Sequence, residues 1–73
     1  VSGVIDLVFL EDSGWVIVDY KTDTVENEEN LANLVKYYRP QVEMYRRFWE
    51  EIAEEKVYEA GLYFTHIDRW VVV

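Results

Sequence analysis

Short apolar segments bounded by turn residues open and close the chain, and a long amphipathic segment lies between them. Residues 4–10 are almost wholly apolar, and residues 15–20 are rich in β-branched and aromatic side chains. Runs of this kind are typical of largely buried strands. Residues 11–14 form a turn in which Gly14 can take a positive φ, so the two strands are predicted to pair as an antiparallel hairpin.

Helical periodicity follows the polar loop after the hairpin, and either Asn27 or Asn30 can cap the helix. Apolar residues spaced i, i+3, i+4 and i+7 from Leu31 form one face of that helix. Pro40 disfavours a helical conformation in the residue before it and suits the first turn of a new helix. We therefore expect a second helix over residues 40–55, with a single kinked helix as the alternative.

Strand character returns over residues 57–65, and a further strand begins at residue 70 after a turn at 66–69. A helical crossover usually brings the chain back parallel to a strand of the same sheet. The predicted fold class is therefore α/β with a mixed sheet. An antiparallel hairpin, helices and a returning strand follow one another, and the helices cover one face.

Charge and composition narrow the functional classes. Fifteen acidic and seven basic residues give a net charge of −8, which opposes binding to DNA phosphates, so most of any DNA-binding basic surface would have to lie outside this segment. The absence of cysteine excludes disulfides, zinc–thiolate sites and an iron–sulfur cluster within it. No apolar run reaches the roughly 18 residues of a membrane span. Without an initiator Met or a signal peptide, the chain is expected to be a piece of a larger cytoplasmic protein.

Three charged side chains fall on the predicted hairpin. Pairing of the strands would bring Asp6 near Asp19, and Lys21 would point the same way as Asp19 because side chains alternate along a strand. Two adjoining carboxylates repel each other unless a cation neutralises them. The pattern favours a divalent-metal site beside a positive charge, which suits phosphate chemistry. A structural ion pair between Lys21 and one of the acids explains it equally well.

Gln41 and Tyr45 are four residues apart and would share one face of a helix. One interpretation is a polar pair facing the site. The other is an amphipathic boundary, in which Tyr45 packs and Gln41 is solvated. His66, a lone histidine, is more typical of a turn residue than of a metal ligand.

The ordered set of motifs resembles the RecB-type nucleases of the PD-(D/E)XK superfamily. The nearest resemblance is to the carboxy-terminal nuclease domain of the A subunit of AddAB helicase–nucleases, in the UvrD-like group. The matching residues are Gly3-Val4-Ile5-Asp6, Asp19-Tyr20-Lys21-Thr22-Asp23, Tyr38 with Gln41 and Tyr45, and the strand Glu59–Phe64. The resemblance implies a restriction-endonuclease-like core fragment. It also implies a DNA exonuclease domain of an ATP-dependent helicase–nuclease in recombinational repair, with ATP used only in the helicase part.

The resemblance implies roles for three motif residues near the metal. Asp6, Asp19 and the backbone carbonyl of Tyr20 would bind Mg²⁺ or Mn²⁺. Lys21 would orient or help to deprotonate the attacking water and would stabilise charge on the phosphate.

The remaining motif residues are expected to act around this centre. Gln41, Tyr45 and Thr22 would support the active site or contact the DNA backbone. The family also carries an acidic or histidine ligand on a helix upstream of the first motif, and this chain begins after that point.

We therefore expect residues 1–73 to be a partial nuclease domain that is inactive alone. Its uncovered apolar surface is expected to cause self-association as a dimer, with a sheet edge as one route. In the parent protein the expected partners are DNA and a second helicase–nuclease subunit. The alternative is a truncated or non-catalytic nuclease-fold module that acts as a structural or partner-binding domain. A third possibility is a small acidic α/β protein whose Asp–Lys pairs are only structural.

Overall fold

The computed structural model describes residues 6–73, so the expectations for Gly3, Val4 and Ile5 lie outside the described residues. Four strands and one helix make up this part of the chain. They are β1 (Leu7–Glu11), β2 (Gly14–Lys21), α1 (Glu28–Ala53), β3 (Val57–Phe64) and β4 (Arg69–Val72). The predicted α/β class is confirmed.

The strands form one mixed sheet in the order β1-β2-β3-β4. β1 pairs antiparallel with β2, β2 pairs parallel with β3, and β3 pairs antiparallel with β4. Helix α1 is the crossover between the two parallel strands, the usual way of joining such a pair. Gly14 closes the first hairpin with a φ of 133°, a conformation that glycine adopts without steric cost. The predicted hairpin and returning strand are both confirmed.

The expected second helix from Pro40 is wrong, because α1 runs unbroken from Glu28 to Ala53 with Pro40 inside it. A proline within a helix removes one hydrogen bond and costs about 3 kcal/mol. Residues on both sides of Pro40 offset that cost by burying side chains in the same core. Val35 before it and Val42 after it are both buried there. Tertiary packing therefore overrides the local preference of the proline.

Asn27 is the residue that caps α1. Its side chain accepts a hydrogen bond from the backbone N–H of Asn30 at 2.8 Å, and the Asn30 side chain accepts one from the backbone N–H of Glu26 at 3.0 Å. This reciprocal arrangement satisfies a donor that the first turn of a helix leaves unpaired. Of the two expected candidates, Asn27 occupies the cap and Asn30 supports it.

The core lies between α1 and one face of the sheet. Ile17, Leu62 and Phe64 are fully buried on that face, and Val42 is nearly so on the helix. Side chains of alternate strand residues point to the other face. There a shallow depression is lined by Leu7, Phe9, Val16, Val18, Tyr20, Tyr58, Tyr63 and Trp70, together with Glu11 and Glu59. Within residues 6–73, α1 is the one helix, so this second face carries no helix of its own.

The first residue of β3 is held to α1 through both of its backbone groups. The N–H of Val57 donates to Glu50 at 2.8 Å, and its carbonyl accepts from Arg46 at 2.9 Å. Two side chains one helical turn apart therefore set where β3 begins.

Over residues 6–73, no helix combines the length and the apolar character that a membrane crossing demands.

Replacing the helix cap should lower stability selectively. We expect Asn27→Ala to reduce the free energy of unfolding by about 1 kcal/mol, because the Asn30 N–H loses its partner. Asn33→Ala is the matched control, an exposed asparagine inside the helix, and should be neutral or slightly stabilising because alanine has the higher helix propensity. Urea unfolding of the 73-residue chain measures both, and equal effects would contradict the capping assignment.

Candidate active site

Asp19 lies at the end of the central strand β2 and is 3% exposed. The register of the hairpin pairs Leu7 with Val18, so one residue further along, Asp6 lies opposite Asp19. The Asp6 carboxylate also accepts a hydrogen bond from the backbone N–H of Tyr20 at 3.0 Å. The hairpin thus brings the two predicted carboxylates together, one buried and one exposed.

Lys21 is held at this site by three contacts. Its Nζ lies 3.2 Å from Asp19 Oδ2, donates to Gln41 Oε1 at 3.2 Å, and sits 4.0 Å from the centroid of the Tyr38 ring. Ammonium groups over an aromatic face gain about 0.5–2 kcal/mol. The ion pair expected in the structural interpretation is therefore present, and it occurs inside the same constellation as the two acids.

One oxygen of this constellation is buried without a hydrogen bond. Asp19 Oδ2 lies within ion-pair distance of Lys21 but has no hydrogen-bond partner within the described residues. A buried carboxylate oxygen without a hydrogen bond is costly, and the ion pair with Lys21 offsets part of that cost. Carboxylate oxygens are the donors that Mg²⁺ and Mn²⁺ prefer, so Asp6 and Asp19 fit such an ion. Residues 6–73 hold no cluster of three or more His, Cys, Asp or Glu able to bind a metal.

The environment of Asp19 shifts its protonation. Burial raises the pKa of its carboxyl from 3.8 to about 6, and a hydrogen bond with the Asp6 carboxyl adds to the rise. The neighbouring Lys21 lowers this pKa but does not cancel the effect of burial. A carboxyl shifted by desolvation and a like charge is a common property of functional sites.

Gln41 and Tyr45 lie on the same helix at different depths. Gln41 is half-buried and contacts Lys21, whereas Tyr45 is 4% exposed and belongs to the hydrophobic core. The packing half of the amphipathic-boundary interpretation therefore holds for Tyr45, while Gln41 faces the site rather than solvent. Thr22 is exposed directly after β2. The Tyr20 ring points to the other face of the sheet, 5.8 Å from the Tyr63 ring.

Tyr38 and Asp23 belong to the matched motifs, although no role was predicted for either side chain. In the structure both make contacts at the site. The Tyr38 hydroxyl donates to both oxygens of Asp23, at 3.1 and 3.0 Å, while its ring lies under Lys21. Burial, and then the hydrogen bond to Asp23, raise the pKa of the Tyr38 phenol above its usual value, so it stays a donor. The sequence spacing could have predicted that Tyr38 lies at the site, because Tyr38 is three residues before Gln41 and shares its helix face.

His66 has a structural partner, which confirms its interpretation as a turn residue. It lies in the turn between β3 and β4, and its Nδ1 accepts a hydrogen bond from the backbone N–H of Val25 at 2.9 Å. Thr65 donates from its backbone N–H to the Lys21 carbonyl at 3.0 Å in the same region. This turn therefore fixes the loop that leaves the site.

The raised pKa of Asp19 predicts how stability changes with pH. The folded chain holds this proton more tightly than the unfolded chain, so its contribution to the free energy of unfolding falls as pH rises from about 4 to about 6. Asp19→Asn has no carboxyl to deprotonate, so its free energy of unfolding does not fall in this way. In the absence of divalent ions, we expect the variant to be more stable than the parent chain at pH 7, by on the order of 2 kcal/mol. The difference should shrink towards pH 4.

Urea unfolding in EDTA across this pH range measures the difference, with Asp12→Asn as the control at an exposed turn position. A variant that is less stable at pH 7 would show instead that the ion pair with Lys21 outweighs the cost of burial.

Comparison with known proteins supplies the family of this chain. Residues 1–71 match the model of the PD-(D/E)XK nuclease superfamily. The chain is 45% identical over 73 residues to the A subunit of the ATP-dependent helicase/nuclease of Carboxydothermus hydrogenoformans, covering 100% of this chain and 6% of that protein. The protein of the same name from Oceanobacillus iheyensis is 39% identical over 67 residues, covering 88% of this chain and 5% of its own length. That of Clostridioides difficile is 38% identical over 69 residues, covering 94% and 5%.

The chain therefore spans about one-twentieth of the length of these relatives. The family match, by contrast, covers nearly all of this chain, including every motif described above. The chain belongs to the PD-(D/E)XK nuclease superfamily.

Proposed function

We propose that this chain is the catalytic part of a divalent-metal-dependent DNA exonuclease within a cytoplasmic ATP-dependent helicase–nuclease of recombinational repair. The observation that supports the chemistry is the convergence of Asp6, Asp19 and Lys21, with a buried Asp19 oxygen free of hydrogen bonds among the described residues. The names of its relatives support the helicase–nuclease context.

Asp6, Asp19 and the Tyr20 carbonyl are the groups that would hold Mg²⁺ or Mn²⁺. The ion would supply Lewis-acid stabilisation of charge on the phosphate and favour deprotonation of the attacking water. Asp19 must be ionised for this role. With a pKa of about 6 its carboxyl is largely ionised at pH 7–8, and a bound cation would favour ionisation further.

Lys21 would contact the phosphate of the substrate or the attacking water. Its ammonium has three donors, of which Gln41 accepts one and Asp19 faces another. The remaining contact, with the Tyr38 ring, uses no oxygen acceptor, so the third N–H would serve a phosphate oxygen or the attacking water. Gln41 and the Tyr38 ring hold the ammonium in position, so less side-chain entropy is lost when the substrate arrives.

Two carboxylates and one carbonyl provide about half of the six ligands that Mg²⁺ requires. We infer that water and a further ligand from the rest of the polypeptide complete the coordination sphere. The 73-residue segment alone should accordingly cleave DNA poorly. In isolation it would act as a nuclease-fold module without catalysis.

The direct test is cleavage of linear DNA by the full-length protein in Mg²⁺ or Mn²⁺. Asp19→Ala should lower kcat by on the order of 100-fold or more, because it removes a metal ligand and leaves Lys21 without its counter-ion. Asp12→Ala removes the same charge from an exposed turn and should cleave normally. Undiminished cleavage by Asp19→Ala would rule out the proposed site.

We also propose that the isolated segment self-associates, as a dimer, through the uncovered face of its sheet. On that face Leu7 and Tyr58 are exposed, and Phe9 and Trp70 are only half-buried. Apolar patches of this kind mark association surfaces. Light scattering of the 73-residue chain at high concentration should give twice the monomer mass. Phe9→Lys should return it to the monomer, whereas Met44→Lys, at an exposed helix position, should not. If the unaltered 73-residue chain is a monomer at high concentration, the proposal is refuted.

A further inference from the structure

A concave surface of about 430 Å³ lies directly beside Lys21, outside the carboxylate pair. It is lined by Lys21, Tyr37, Tyr38, Pro40 and Gln41. Its volume falls within the range of small-ligand sites, about 300–1,000 Å³. Tyr37 is 76% exposed, an unusual position for a large aromatic side chain.

We propose that Tyr37 is a stacking platform for a base of single-stranded DNA, whose adjoining phosphate lies at Lys21. This inference rests on the proposed nuclease function and adds one residue to that site. Tyr37 is not among the residues to which the motifs assign a role, and it is a positioning residue rather than a catalytic one.

The exposed Tyr37 ring is backed by a fixed structure. Its centroid lies 5.0 Å from that of Tyr38, with the two rings inclined at 76°, a favourable edge-to-face geometry. Tyr38 is itself held by a bifurcated hydrogen bond to both oxygens of Asp23 and by the ammonium of Lys21. A platform supported in this way loses little freedom when a base stacks on it, and its position relative to Lys21 is set.

The surface carries both kinds of group that bind a nucleotide. The Lys21 ammonium and the Gln41 amide suit a phosphate, and the Tyr37 ring and Pro40 suit a base. Base–aromatic stacking tolerates any sequence and contributes substantially to single-strand binding. In a duplex the bases are stacked on one another and cannot reach such a ring, so the site is expected to hold an unpaired strand.

The test uses the full-length protein without ATP, acting on a short single-stranded oligonucleotide in Mg²⁺. Tyr37→Ala should raise KM about tenfold with little change in kcat, the effect of losing one stacked base. Tyr37→Phe keeps the ring and should restore the KM. Phe48→Ala is the matched control, a 58% exposed aromatic residue elsewhere on α1, and should behave as the unaltered protein.

An abasic nucleotide walked along the substrate locates the contact. At one position near the scissile phosphate it should raise the KM of the unaltered protein, and at that same position it should leave Tyr37→Ala unaffected because the partner ring is already gone. If Tyr37→Ala has the KM of Phe48→Ala, or if the abasic profile is the same with and without Tyr37, the inference fails. A segment of the remaining polypeptide that occupied this surface would produce that result.

A binding measurement separates this inference from the proposed function. Asp19→Ala tests catalysis, and in the same variant a 2-aminopurine placed at the identified position reports stacking by fluorescence quenching without cleavage. Quenching that Tyr37→Ala removes supports the platform, and unchanged quenching overturns it. Continued cleavage by Asp19→Ala would contradict the nuclease site while the fluorescence still decides the role of Tyr37.

Discussion

The free-energy cost of burying the Asp19 carboxylate is the constraint on which the rest of the site depends. An unpaired charge in a protein interior costs several kcal/mol, and here Lys21 offsets only part of that cost while Asp6 adds to it. The structural and the metal interpretations of this cluster are therefore not exclusive. The ion pair holds the carboxylate in place, and the remaining unfavourable charge is what a divalent cation would relieve.

Lys21 in turn depends on the continuity of α1. Its two helix contacts, Tyr38 and Gln41, lie on either side of Pro40 and come to the same face only because the helix continues through the proline. A break at Pro40 would redirect one of them. The residue that made two helices the expected arrangement is thus embedded in the segment that positions the lysine, and core packing on both sides of it maintains that segment.

Local sequence rules were sufficient to predict the strands and the approach of Asp6 to Asp19. Strand alternation and a glycine turn predict that Asp6 faces Asp19, and the crossover rule predicts the parallel return of β3. The depth of Tyr45, the partner of His66 and the course of the helix through Pro40 depend on residues far apart in the chain. Spacing alone shows that Gln41 and Tyr45 share a helix side, but not which one reaches the core, because that is decided by how α1 is rotated on the sheet.

The hydrogen bonds that Arg46 and Glu50 make with the backbone of Val57 affect the order in which the molecule assembles. The β1–β2 hairpin joins neighbouring residues, whereas β2 and β3 pair only after the whole helix has closed a long loop. Contacts distant in sequence form late and slowly. Asp6 and Asp19 can therefore meet while still hydrated. The desolvation of Asp19 therefore belongs to the docking step, in which Val57 engages the helix and β3 pairs with β2.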